Sequence, residues 1–230
     1  MRCLTISVML WATLGSSAAI DTRAHSTFRG SFYESTPPAQ YDLRFSRQLL
    51  PPSKLHEAQS YLMKAYLSTV ADLGVVTWLV HGSLLGWYWN RRILPWSSGL
   101  DAQTTIEDMQ HLSEHYSMTT YHFTFPGSDI RRDYLLEVKS RLADKGAVNA
   151  ERGTSARWID MGSGLYIDIK PLRYQWKANA DTKVVMDREN EPRSVHGDTF
   201  PLQDTVFEGM TAKVPSAFAD FLTEEFGLLH

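Results

Sequence analysis

"VHGSLLGWYWNRRILPWSSGLDAQ", Val80 to Gln103, leaves an apolar run, turns through Gly82-Ser83 and ends near one isolated acid, Asp101. A strand, a Gly-Ser turn and a helix starting near Leu84 form an anion-binding arrangement. N–H groups at a helix start have no intrahelical acceptor, and the helix dipole favours negative charge there. The same two residues serve equally as a helix cap and a chain reversal. Asp101, ahead of the next helical pattern, is suited either to capping that helix or to holding a cation.

The flanking segments place this stretch in a mixed fold. Upstream, "SKLHEAQSYLMKAYLSTVADLG" carries Leu55, Leu62, Tyr66, Val70 and Leu73 at helical spacing, with Ser53 as the expected N-cap and Gly74 as the stop. "VVTWLV", Val75 to Val80, is a β-branched and aromatic run that predicts a buried strand. Downstream, "TTIEDMQHLSEHY" puts Ile106, Met109 and Leu112 on one helical face, with Thr104 and Glu107 at capping-box spacing. "YLLEVK" around Leu136 predicts a strand, and "ARWIDMGSGLYIDIKPL" a hairpin turning at Gly162-Ser163-Gly164. "VPSAFADFLTEEFG" predicts a last amphipathic helix. The expected class is α/β (α+β).

Composition narrows the partners. The 230 residues are 43% hydrophobic and 12% aromatic, enough for a core, and the net charge of −3 provides no basic stripe for nucleic acid. Residues 1–19 predict a secretory signal peptide or signal anchor: Arg2, the apolar Leu4 to Leu14, then the small residues Ser17-Ala18-Ala19. The chain is therefore expected in the secretory pathway, as a Golgi-lumenal, membrane-anchored or secreted protein. Its one cysteine, Cys3, lies in that segment, so the remainder forms no disulfide of its own and no cysteine zinc site. Residues 20–52, with Pro37-Pro38 and Pro51-Pro52, predict an extended surface leader, and residues 53–230 the folded domain.

A second acid refines the site. Alternation in "GLYIDIKPL" puts Leu165, Ile167 and Ile169 on one face and Tyr166, Asp168 and Lys170 on the other. An acid inside a largely apolar strand is costly to bury without a partner. A Gly-Ser turn, an acid and a later strand acid together follow the logic of a nucleotidyltransferase site. There, carboxylates hold Mg²⁺ or Mn²⁺, the ion holds phosphates, and the turn cradles a terminal phosphate. Asp101 and Asp168 are the expected metal and catalytic residues, and Gly82 and Ser83 the expected phosphate contacts. Glu137 and Asp160 are weaker substitutes, His81 is a candidate base, and Trp87, Trp89 and Trp96 divide between core and stacking roles.

"YDLRF", "WLVHGSLLGWYWNRRILPW", "DAQ", "ARWIDMGSGLYIDIKPL" and "FPLQDTVFEGMTAKVP", in this order over residues 41–215, resemble the LicD/fukutin family, in particular its fungal branch related to cell-wall mannosylphosphorylation. The resemblance implies a nucleotidyltransferase-like mixed sheet flanked by helices. It also implies metal-dependent transfer of a phosphosugar or phosphocholine group from a CDP- or GDP-linked donor to a glycan. The family's acid-rich D-x-D-x-D run falls here on Ser97, Gly99 and Asp101, so only the last acid is kept. Related chains also run on beyond the position of His230, which implies a C-terminally short domain. Two readings stay open. One is a transferase acting on glycans or cell-wall mannan. The other is a catalytically degenerate relative that binds or regulates an active transferase partner.

Overall fold

The structure, a computed structural model, describes residues 19–25, 40–46, 48–125, 129–139, 155–176, 183–187, 191–195 and 199–227. The expected signal segment before Ala19 and most of the expected leader lie outside the described residues.

The long amphipathic pattern forms α1, Pro52–Asp72. It starts one residue before the expected cap: Pro51 is the N-cap and Pro52 the first helical residue, where proline's fixed φ and missing N–H cost nothing. β2 (Thr77–Leu79) leads directly into α2 (His81–Asn90), which begins three residues earlier than expected. β3 (Leu100–Thr104) and α3 (Ile106–His115) follow. The α3 cap is Thr105, whose hydroxyl oxygen accepts from the Asp108 N–H at 3.0 Å; the Thr104 hydroxyl instead donates to the Val76 carbonyl.

The main sheet joins these elements to β1 (Ala19–His25), β4 (Thr119–Thr124), β5 (Arg131–Lys139), β6 (Ser155–Asp160) and β7 (Tyr166–Pro171). Its seven strands run in the order β1-β4-β5-β6-β7-β3-β2. All pairs are antiparallel except β3 with β7, so the sheet is mixed and the fold α+β. β8 (Arg173–Trp176), β9 (Lys183–Asp187) and β10 (Glu191–Val195) make a small second sheet. β11 (Gln203–Phe207) and β12 (Met210–Val214) form a hairpin, followed by α4 (Phe218–Phe226).

The two faces of the main sheet differ. One packs Tyr134, Trp158, Ile167 and Ile169 against helix residues such as Leu62, Tyr66 and Leu84 in the principal core. The other carries a small cluster of Leu135, Ile159 and Tyr166, with Phe45 and Met161 against it, and the charged residues of the candidate site. Cross-strand partners lie on the same face, so register alone assigns each side chain to its layer.

The expected surface leader is partly structural. Ala19–His25 pairs with β4 as an edge strand, and Tyr41 and Asp42 are fully buried. Tyr41 bridges to Leu165, and the Asp42 N–H donates to the Gly164 carbonyl at 2.7 Å. These bonds draw residues 41–46 across the β6–β7 turn. Gly164 makes this approach feasible: its φ is +82°, and a Cβ there would sit 2.7 Å from the Asp42 carbonyl oxygen. Gly86 has a similar role on α2, where a Cβ would come within 2.5 Å of the Arg92 carbonyl oxygen as residues 91–94 fold back over the helix.

Candidate functional site

Asp101 is a strand residue rather than a loop acid before a helix. β3 lies between β2 and β7, and Asp101 is the direct register partner of Asp168 across the parallel pair. The row continues through the sheet. Arg157 of β6 stands opposite Asp168, and Glu137 of β5 stands opposite Arg157. Four charged residues on four adjacent strands thus share one face and one level. Neighbouring strands lie about 4.8 Å apart, so each charge feels the next.

Cations separate the carboxylates. The Lys170 Nζ, two residues along β7 on the same face, is 3.8 Å from the Asp101 Oδ1 and 3.9 Å from the Asp168 Oδ2. The Arg157 Nε is 3.8 Å from the Asp168 Oδ1, and its guanidinium lies 4.0 Å over the Tyr166 ring. At these separations the ion pairs are electrostatic contacts rather than hydrogen bonds. At the far end of the row, Arg44 joins Glu137 to Asp42. Its Nη2 donates to the Asp42 Oδ2 at 2.6 Å and also to Glu137, and its Nε donates to the Asp42 Oδ1 at 2.9 Å.

The Gly-Ser turn meets the row from the α2 side. The Ser83 Oγ is buried and accepts the Asp101 backbone N–H at 3.0 Å, so this hydroxyl fixes the strand at the acid. The Ser83 N–H closes a turn onto the Val80 carbonyl. Gly82 borders open space, since a Cβ there would meet nothing within 4 Å. His81 has a φ of +51° and its Nδ1 lies 2.8 Å from the Glu225 carboxylate, which ties the start of α2 to α4.

The positions ahead of Asp101 carry contacts of their own. The Ser97 hydroxyl donates to the Gly99 carbonyl at 2.7 Å. A Cβ at Gly99 would come within 2.6 Å of the Gln40 side chain, and the Gln40 Oε1 accepts the Leu100 N–H at 2.9 Å. Neither substitute acid joins the pair. Glu137 is bonded to Arg44. Asp160 faces the opposite side of the sheet, where it accepts from Arg132, the Gly162 N–H and the Ser163 hydroxyl. Among the described residues no three Asp, Glu, His or Cys side chains are grouped closely enough to hold a metal ion. Mg²⁺ takes octahedral oxygen donors, commonly one or two carboxylates completed by phosphate and water, and here both carboxylates are in contact with an ammonium.

Of the tryptophans, Trp87 is buried and its Nε1 donates to the Thr205 Oγ1 at 2.7 Å. Trp89 and Trp96 are exposed and meet edge to face, with ring centroids 5.8 Å apart. The β11–β12 turn holds the loop after α2. Glu208 accepts from the Ile93 N–H and the Ser60 hydroxyl, and its own N–H donates to the Arg91 carbonyl.

Sequence reasoning missed Arg44, Arg157 and the role of Lys170. Strand alternation puts Lys170 on the Asp168 face; only the β3–β7 register shows that it also reaches Asp101.

A mixed sheet with a helix-initiating Gly-Ser turn beside two in-register acids is the arrangement of a nucleotidyltransferase-type domain. The family model described as LicD/FKTN/FKRP, nucleotidyltransferase domain, matches residues 74–217, and the chain belongs to that family. The chain is similar to mannosyltransferase regulator 4 of Saccharomyces cerevisiae, 28% identical over 202 residues that cover 79% of this chain and 17% of that protein. It is also similar to mannosyltransferase regulator 14 of the same yeast, 30% identical over 121 residues, 53% of this chain and 13% of that protein. The chain spans less than a fifth of the length of these curated relatives.

Proposed function

We propose that this chain serves mannan modification in the secretory pathway as a regulatory LicD-type domain, one that binds an active glycosyl- or phosphotransferase and does not itself turn over a donor. The observation that carries this reading is that Ser97 and Gly99, ahead of Asp101, supply no carboxylate and are engaged by other contacts. Position 97 holds a hydroxyl turned onto its own backbone, and position 99 has no room for a side chain while Gln40 stays in place. A phospho-transfer site stabilises spreading negative charge mainly through its cations and their ligands. Removing two of three spaced acids withdraws that support. The similarity to two yeast proteins named as mannosyltransferase regulators favours the same reading.

A transferase reading has one observation in its favour: Asp101 and Asp168 are register partners beside the Gly82-Ser83 turn. In that reading the two acids hold Mg²⁺ or Mn²⁺, the turn receives the phosphate of a CDP- or GDP-linked donor, and a glycan accepts the phospho-group. The deciding experiment incubates the full chain with Mn²⁺, radiolabelled CDP- and GDP-linked donors and mannan oligosaccharide. We expect no transfer above a Asp101→Asn, Asp168→Asn control. Label appearing in the oligosaccharide with the natural chain, and not with the control, would establish the transferase instead.

A further inference from the structure

We propose that Lys170 is the built-in cation of this site: its ammonium takes the place between Asp101 and Asp168 that a divalent ion would otherwise occupy, and so closes the site to metal. Two independent placements support this. The β3–β7 register sets the two acids side by side, where two like charges repel unless a cation shares them. The Lys170 Nζ is the group found there, within 3.9 Å of one oxygen from each acid. Arg157 meets Asp168 from the other side. Among the described residues, one ammonium and one guanidinium face the two carboxylates, which offsets the charge that would attract a divalent ion. Among the same residues no third carboxylate competes with the lysine, because the row's next acid, Glu137, is held by Arg44. Lys170 is 42% exposed, so its ammonium reaches the acids from the solvent side, the direction from which an ion would enter.

The inference concerns ion occupancy alone and stands apart from the regulatory reading, since a site closed to metal can still bind a partner. Its test uses no transfer assay. Mn²⁺ binding to the full chain is measured by the loss of the free-ion electron paramagnetic resonance signal, in the natural protein and in Lys170→Met, Lys170→Gln and Lys170→Arg. Removing a unit charge about 4 Å from a divalent ion changes its binding by at least about tenfold, even at the dielectric of water. Lys170→Met and Lys170→Gln should therefore gain one Mn²⁺ site at least about tenfold tighter than any in the natural chain. Lys170→Arg, which keeps the charge, should not. Adding Asp168→Asn to Lys170→Met should abolish the gain. Circular dichroism identifies which charge-removing variant is folded, and either one suffices. The proposal is overturned if the folded charge-removing variant binds Mn²⁺ no better than the natural chain. It is equally overturned if Lys170→Arg gains the same site, or if the gain survives Asp168→Asn.

Discussion

Arg44 and Lys170 each lie between two carboxylates, and burial separates their roles. The Arg44 side chain is 7% exposed, and both its partners are buried. Its hydrogen bond to Asp42 raises the guanidinium pKa above the ordinary value, burial works against that rise, and Glu137 adds to it. Removing this cation strands two buried carboxylates, and breaking a buried ion pair from one side costs about 3–5 kcal/mol. Arg44→Met should therefore lower the urea-unfolding free energy by about that amount. Lys170→Met touches an exposed cation and should cost no more than about 1 kcal/mol. If the two substitutions destabilise equally, the Arg44 pairs are not the structural clamp their burial implies. "YDLRF" stood out in the sequence only as a block of resemblance. Nothing in its spacing showed that Arg44 would reach Glu137, 93 residues away in the chain.

At the scale of elements, legibility followed local pattern. α1, β5, the β6–β7 hairpin and the last helix carry their own periodicity, and the structure has them where the sequence predicts. β3 does not: "LDAQT" lacks the β-branched density of a central strand and becomes one because β2 and β7 supply partners on both sides. Local pattern therefore presents Asp101 only as an acid ahead of a helix, and its pairing with Asp168 comes from the sheet register. Asp168 was readable because alternation within one strand is a local rule. The β6–β7 turn makes a test at this scale. Gly164→Ala places a side chain at φ +82° and against the Asp42 carbonyl oxygen and Ser46. We expect a loss of at least about 2 kcal/mol in denaturant unfolding. We also expect faster hydrogen exchange at the Asp42 amide, which donates to Gly164. Unchanged exchange there would show that the 41–46 segment is held without the turn.

Across the whole molecule, the sheet gathers its main aromatic packing on one face, where buried Asp160 also pairs with Arg132, and the row of site charges on the other. On the packed face, Tyr134 stacks on Trp158 at 5.4 Å between centroids, and Tyr66 lies 6.4 Å from the same indole. Burial raises the pKa of Tyr66, and burial together with the nearby Asp160 charge raises that of Tyr134. The sign of the linkage follows. A tyrosine in the unfolded chain ionises near about pH 10, whereas these two stay neutral in the fold. Below that pH both states hold the proton and stability is unaffected. Above it the unfolded state sheds protons that the folded state retains, so stability falls as pH rises, by up to about 1.4 kcal/mol per pH unit for each tyrosine. Absorbance at 295 nm during an alkaline titration reads tyrosinate formation directly. Of the ten tyrosines in the chain, Tyr66 and Tyr134 should ionise only together with the loss of near-ultraviolet circular dichroism. Tyr66→Phe with Tyr134→Phe should shrink that late step by two tyrosinates and move the alkaline unfolding midpoint upward, because the unfolded chain then has two fewer protons to lose. If the late step keeps its full size in the double variant, Tyr66 and Tyr134 do not contribute to it. If all ten titrate at about pH 10 with the dichroism intact, the packed face of the sheet is open to water in solution.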